Sequence, residues 1–200
     1  FKAHSEFKLL FEKFTAHNQL NNAGDTARLW SFILNIKQVM SENIAGDFAE
    51  LGVWRGNTAS ILAHYAKGHG RKVFLFDTFE GFDAKDLGGI DADKTKEFQD
   101  TSLNLAKSVI APNDGVCEFI KGYFPDSVTD SCKGSTFSIV SLDCDLYEPT
   151  KAGLEFFYPR MQTGGIFLLH DYSSLWWTGS KKAIDDFCKN NKEFIVLMPD

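Results

Sequence analysis

The amino-acid sequence predicts an α/β fold: a doubly wound, mostly parallel sheet with helices on both faces, preceded by an N-terminal helical segment. Three observations carry this. Short apolar runs bounded by polar turns recur along the chain, amphipathic stretches lie between them, and the first forty residues have only helical periodicity. Buried strands that alternate with amphipathic helices indicate parallel pairing through helical crossovers.

The elements follow in order. Phe7, Leu10, Phe11 and Phe14 recur at three- and four-residue spacing, which lays one apolar stripe along a helix. Leu29, Phe32, Ile33, Ile36, Val39 and Met40 form a second stripe after the polar turn 21–25, with Asp25 or Thr26 as its cap. Strands are expected at 47–53, 72–76, 118–121, Phe137–Leu142, 165–169 and 194–198, and helices at 57–66, 94–110, 150–157 and 181–192. The stretch 83–100, rich in Asp, Lys and Gly, reads as a solvated loop leading into a helix or as a lid over a site. No repeat or low-complexity linker divides the chain. One domain over residues 1–200 is expected, with N-terminal helices over 1–45 and a Rossmann-like core over 46–200.

Composition narrows the function. With 44% hydrophobic and 24% charged residues, 200 residues suit an ordinary soluble globular protein. The net charge of -6, with no basic block, argues against nucleic-acid binding. No apolar run approaches the ~20 residues that span a bilayer. Residues 1–20 interrupt their aromatics with Lys, Glu and His, unlike a signal peptide. Four cysteines without C-x-x-C spacing argue against a zinc knuckle and for reduced thiols in a cytoplasmic protein. The chain starts without Met and stops after an apolar run, so both ends read as trimmed. The aromatic-rich segment 1–14 offers material for a homodimer contact.

In open α/β sheets ligands bind beyond the carboxyl ends of the strands, and here the residues after each strand are polar. The first such loop runs Glu50-Leu51-Gly52-Val53-Trp54-Arg55-Gly56-Asn57-Thr58. It is not the G-x-G-x-x-G of a dinucleotide site, and its carboxylate would repel a pyrophosphate but suit an α-amino group. Asp77-Thr78 ends the second strand, where an acid can accept both hydroxyls of an adenosine ribose, or simply cap a helix. Gly122-Tyr123-Phe124 offers a turn and two aromatics to flank an adenine, or to pack in the core. Asp143-Cys144-Asp145 and His170-Asp171 end two later strands. Each acid singly could be a cap or a surface charge. Gathered at one spot, they would raise one another's pKa, a conflict that a divalent cation resolves. Oxygen ligands with one imidazole favour magnesium or manganese over zinc.

These motifs, taken together, resemble the macrocin O-methyltransferase family. The matching stretches are the run from Gly46 to Gly56, Phe76-Asp77-Thr78-Phe79-Glu80-Gly81-Phe82, Lys121-Gly122-Tyr123-Phe124, the run from Leu142 to Thr150, Tyr158-Pro159, Gly164-Gly165 and His170-Asp171-Tyr172. The resemblance implies an S-adenosylmethionine-dependent O-methyltransferase, assisted by Mg2+ or Mn2+, that acts on a hydroxyl of a sugar or similar small acceptor. Glu50 and Gly52 would hold the methionine part, Asp77 the ribose, and Gly122 and Tyr123 the adenine border. Gly56, Thr58, Thr78 and Asp143 complete the expected cofactor set. Asp143, His170 and Asp171 would bind the metal and Asp145 would be the general base. One position departs from the pattern: the family commonly has two acids before this Tyr, and here the first is His170. That substitution removes one negative charge, and shifts metal preference or leaves His170 to act as a base itself. Trp176 and Trp177 could wall the acceptor pocket or anchor the following helix. Two other classes compete: a catalytically silent module that binds the cofactor, and a nicotinamide oxidoreductase, which the first loop argues against.

Overall fold

The computed structural model describes residues 5–198. Three helices open the chain: α1 (Phe7–Thr15), α2 (Gln19–Asn22) and α3 (Thr26–Ser41). The alternating core follows as β1 (Asp47–Leu51), α4 (Asn57–Lys67), β2 (Val73–Asp77), α5 (Leu103–Ile110), β3 (Cys117–Lys121), α6 (Asp130–Lys133), β4 (Phe137–Leu142), α7 (Tyr147–Phe157), β5 (Met161–Leu169) and α8 (Thr178–Asn191). All strand pairings are parallel, in the order β3-β2-β1-β4-β5. The fold is Rossmann-like, as the alternation of elements predicts.

Side chains alternate across a strand, so each strand feeds two cores. Phe48, Val73, Leu75 and Ile139 face one layer, which they share with Phe14, Ile33 and Ile36 of the N-terminal helices and with Ile61 and Leu62 of α4. Ala49, Leu51, Phe74, Phe76, Val140 and Leu142 face the other, against Leu154 and Phe157 of α7 and Ile184 of α8. Asp25 caps α3 by accepting the Arg28 amide at 3.1 Å, one of the two caps the sequence suggested.

The structure corrects three expectations. The helix expected at 94–110 begins only at Leu103, where Ser102 accepts the Leu105 amide; residues 83–100 form turns and two short 3-10 segments. β5 starts earlier than residue 165, at Met161, with a register shift between Phe137 and Ile139 of β4. The run 194–198 is not a strand. A strand exists only by pairing, and Phe194 and Val196 instead stand 93% and 83% exposed. The aromatic stripe of α1 is buried within its own chain at Phe7, Leu10 and Phe14; Phe1 lies outside the described residues.

Candidate active site

The strand order reverses direction between β1 and β4, and the crevice of such a sheet opens at that point. Gly52 makes the close approach there. Its φ is +89°, and a Cβ would stand 1.9 Å from the Asp143 carbonyl oxygen. Only glycine lets the ends of β1 and β4 meet in this way.

A cavity of about 350 Å³ opens at this place. Its wall includes Gly52, Thr58, Asp77, Thr78, Gly122 and Tyr123 on one side and Asp143, Asp145, His170 and Asp171 on the other. Two expected cofactor residues are not on the wall. Gly56 (φ +84°) starts α4 and packs near Ala106. Glu50 lies behind the wall, fully buried, and neither carboxylate oxygen has a hydrogen-bond partner. Burial raises its pKa to about 8 and nearby Asp143 adds to this; the Thr58 and Ser141 hydroxyls oppose the rise without completing a hydrogen bond. A buried acid without a donor is costly unless a cation meets it.

Asp77 is busier than its motif suggests. Its Oδ2 accepts the Val53 and Trp54 amides at 2.8 and 2.7 Å, and its Oδ1 accepts the Phe79 amide at 2.5 Å. Burial still raises its pKa, against these three bonds. Asp77 therefore builds the loop after β1, and keeps one lone pair of Oδ1 for a ligand. Thr78 is also engaged, donating to the Gly81 carbonyl at 2.6 Å. The Tyr123 hydroxyl donates to Asp86 at 2.8 Å, tying the wall to the 83–100 stretch. Phe124, although it reaches the cavity, packs with Phe76, Phe156 and Phe157 in the core.

The four acidic and imidazole groups converge. One ligand atom from each of Asp143, His170 and Asp171 lies within 4.8 Å of the other two. His170 Nδ1 is 2.8 Å from Asp143 Oδ1 and 2.9 Å from Asp171 Oδ1, yet neither contact is an aligned hydrogen bond. Two bonds of about 2.05 Å at right angles separate ligand atoms by roughly 2.9 Å, so these spacings match edges of a magnesium octahedron. Asp171 Oδ2 is also buried without a partner. The residues present thus fit a divalent cation. Asp145 and Asp171 hold φ values of +64° and +62°, left-handed conformations in which Asp is tolerated at some cost. Burial raises the pKa of Asp145 well above its ordinary value, and Asp171 and Asp143 push it further; His170 opposes them. Burial also opposes ionisation of Asp143, but His170 and Arg28 hold its pKa below the ordinary value.

Burial alone would lower the His170 pKa, and the Asp143 and Asp171 carboxylates more than reverse this, raising it to about 11. A second contact constrains the ring: Arg28 Nη1 lies 2.6 Å from Nε2. A guanidinium only donates, so Nε2 must offer a lone pair. A neutral ring with its proton on Nδ1, between the carboxylates, can accept from Arg28, whereas the carboxylates favour the doubly protonated ring, so the two neighbours make opposed demands on His170. Arg28 was not foreseen as a site residue. The only signal was its place in the first turn of a capped helix, because His170 lies 142 residues away. Trp177 lines the cavity and packs on Phe82 and Phe98 at 5.6 and 6.0 Å, whereas Trp176 is 58% exposed and off the wall.

A parallel sheet with an acid-lined cavity at its switch point places the chain among Rossmann-like proteins of the kind to which solved methyltransferases belong. More narrowly, it belongs to the macrocin O-methyltransferase (TylF) family, whose model matches residues 22–195. It is 28% identical over 150 residues to the 8-demethyl-8-(2,3-dimethoxy-alpha-L-rhamnosyl)-tetracenomycin-C 4'-O-methyltransferase of Streptomyces olivaceus, covering 69% of this chain and 57% of that one. To the demethyldecarbamoylnovobiocin O-methyltransferase of Streptomyces niveus it is 26% identical, covering 76% of this chain and 62% of the relative. The chain thus spans about three fifths of the length of these relatives. The calicheamicin methyltransferase CalS11 shares the fold with a TM-score of 0.74 at 21% identity, over 96% of this chain and 87% of that one. The O-methyltransferase NovP does so with 0.70 at 23%, over 83% and 72%. No described helix is long and apolar enough to cross a membrane.

Proposed function

We propose that the chain transfers a methyl group from S-adenosylmethionine to a hydroxyl of a sugar or similar small natural-product acceptor, with a divalent cation held by Asp143, His170 and Asp171. One observation carries this reading: Asp77, Asp145 and the Asp143–His170–Asp171 cluster line a single cavity. The activities named for the relatives, O-methylations in rhamnosyl-tetracenomycin and novobiocin chemistry, point the same way.

The roles follow from the residues. Asp77 has one free lone pair for a ribose hydroxyl, Gly122 and Tyr123 border the adenine, and Thr58, Thr78, Gly52 and Gly56 shape the wall or the loop behind it. Glu50 is the counter-charge for the methionine ammonium. Phe82, Phe98 and Trp177 give the acceptor an apolar face. When bound, Mg2+ or Mn2+ supplies the charge that lowers the pKa of a coordinated hydroxyl. Asp145 takes the hydroxyl proton as the oxygen bonds to the methyl carbon and the sulfur–carbon bond breaks, which leaves S-adenosylhomocysteine. Burial and the like charges around Asp145 oppose its ionisation, and a cation beside it would favour the basic form.

Thermal melts test the reading. S-adenosylhomocysteine should raise the melting temperature, and Mn2+ or Mg2+ should raise it further, because a ligand that binds only the folded state stabilises it. A rise with S-adenosylhomocysteine and none with either ion would point to a catalytically silent cofactor-binding module. No rise with S-adenosylhomocysteine would refute both.

A further inference from the structure

Arg28 reaches the cluster from the N-terminal helices. Beside its 2.6 Å contact with His170 Nε2, Nη1 lies 3.8 Å from Asp143 Oδ2. Nη2 donates to Asn22 at 2.8 Å, Nε lies 2.9 Å from Asp25, and the guanidinium carbon stands 5.1 Å from the centre of the Phe14 ring. Asn22 in turn donates to the Phe14 carbonyl at 2.8 Å. One side chain thus joins the start of α3, the end of α2 and the Phe14 ring of α1 to the ends of β4 and β5. Asn22 and Asp25, which it holds, line the cavity together with Asn18 and Asn21.

We propose that Arg28 is a built-in counter-cation that holds Asp143 and His170 in the metal-free protein and must withdraw before a divalent ion binds there, which links metal binding to the start of α3. The inference rests on the metal reading above. Two physical conflicts make the states exclusive. A cation bound through Nδ1 takes that lone pair and leaves the ring proton on Nε2, where it faces the Arg28 donor. The same cation, on Asp143, also meets a guanidinium already within 3.8 Å of that carboxylate. Arg28 is therefore a positioning residue, and its removal should favour the metal.

The test is Mn2+ binding, read from the free-ion paramagnetic signal during titration of the full chain. Arg28→Met keeps the stem over Phe14 and removes the charge and donors. It should bind Mn2+ at least tenfold more tightly than the parent, with Arg28→Lys between them. The parent carries a second test that needs no variant: Mn2+ should speed amide hydrogen exchange over residues 22–30. If the parent binds Mn2+ while Arg28→Met binds it no better, or exchange over 22–30 is unchanged or slower, the proposal is overturned and the metal reading stands. If Asp143→Asn binds Mn2+ as well as the parent does, or if neither parent nor Arg28→Met binds it, the metal reading falls and takes this inference with it.

Discussion

At the scale of single residues, the site is a set of charges that cannot rest as they are. Asp145 shows it best, because burial and two neighbouring carboxylates oppose its ionisation, while its left-handed backbone is one that Asp and Asn tolerate better than other side chains. That conformation selects the informative variant. Asp145→Asn keeps shape and backbone preference and loses the proton acceptor, whereas Asp145→Ala would add strain at φ +64°. On whichever acceptor the parent methylates, Asp145→Asn should lower turnover by about 10²–10⁴-fold with S-adenosylhomocysteine affinity within twofold of the parent. Equal turnover in the two proteins would remove Asp145 from proton transfer. Much of this site is legible in the sequence because the acids cluster just after apolar runs, directly at Asp77 and Asp143 and one residue further on, past His170, at Asp171. Arg28 is not, since nothing local marks a residue whose partner is 142 positions away. Nor is the triple amide grip of Asp77, which depends on how the loop after β1 folds back.

Among the elements, the 83–100 stretch was the least legible. Its charged residues suit a helix as well as a loop, and only the cap at Ser102 decides where α5 begins. The five strands were legible because each holds a short run of apolar residues near a turn, although the first four residues of β5 were not, whereas the similar texture of 194–198 yields no strand. The stretch is held by Asp91, which is fully buried and accepts the Tyr147 amide at 2.7 Å, capping α7 from outside that helix. α7 lacks a side-chain cap of its own, since Leu146 stands at its N-cap. Gly179 of α8 lies so close that a Cβ there would fall 2.3 Å from the Asp91 carboxylate. One side chain therefore bonds the loop to the start of α7 and packs it against the start of α8. Asp91→Ala should cost about 1 kcal/mol in urea denaturation, the usual worth of an N-cap, and should expose 83–100 to limited proteolysis. A variant with the parent's stability and protease pattern would mean that the loop is held by its aromatic contacts alone.

For the molecule as a whole, the unmatched acids tie stability and cofactor binding to pH. Glu50 goes from an ordinary value of 4.5 to about 8 on folding. Because the folded chain keeps this proton more tightly, the stability it contributes is full below pH 4.5 and declines as pH rises toward 8. Glu50→Gln should flatten that decline in thermal melts of the cofactor-free protein between pH 5 and 8. Binding reverses the cost. A methionine ammonium beside Glu50 favours the carboxylate, so S-adenosylhomocysteine should drive off the proton that burial retains. At pH 7 a group with a pKa near 8 is mostly protonated, and the expected release is about one proton per ligand bound. Calorimetry in two buffers of different ionisation enthalpy measures that number directly. The parent should release close to one proton and bind more tightly as pH rises to 8, while Glu50→Gln should release almost none and bind more weakly at every pH. Parent and variant with equal proton release would show that the ammonium meets some other group, and Glu50 would then be a buried acid that the cofactor leaves alone.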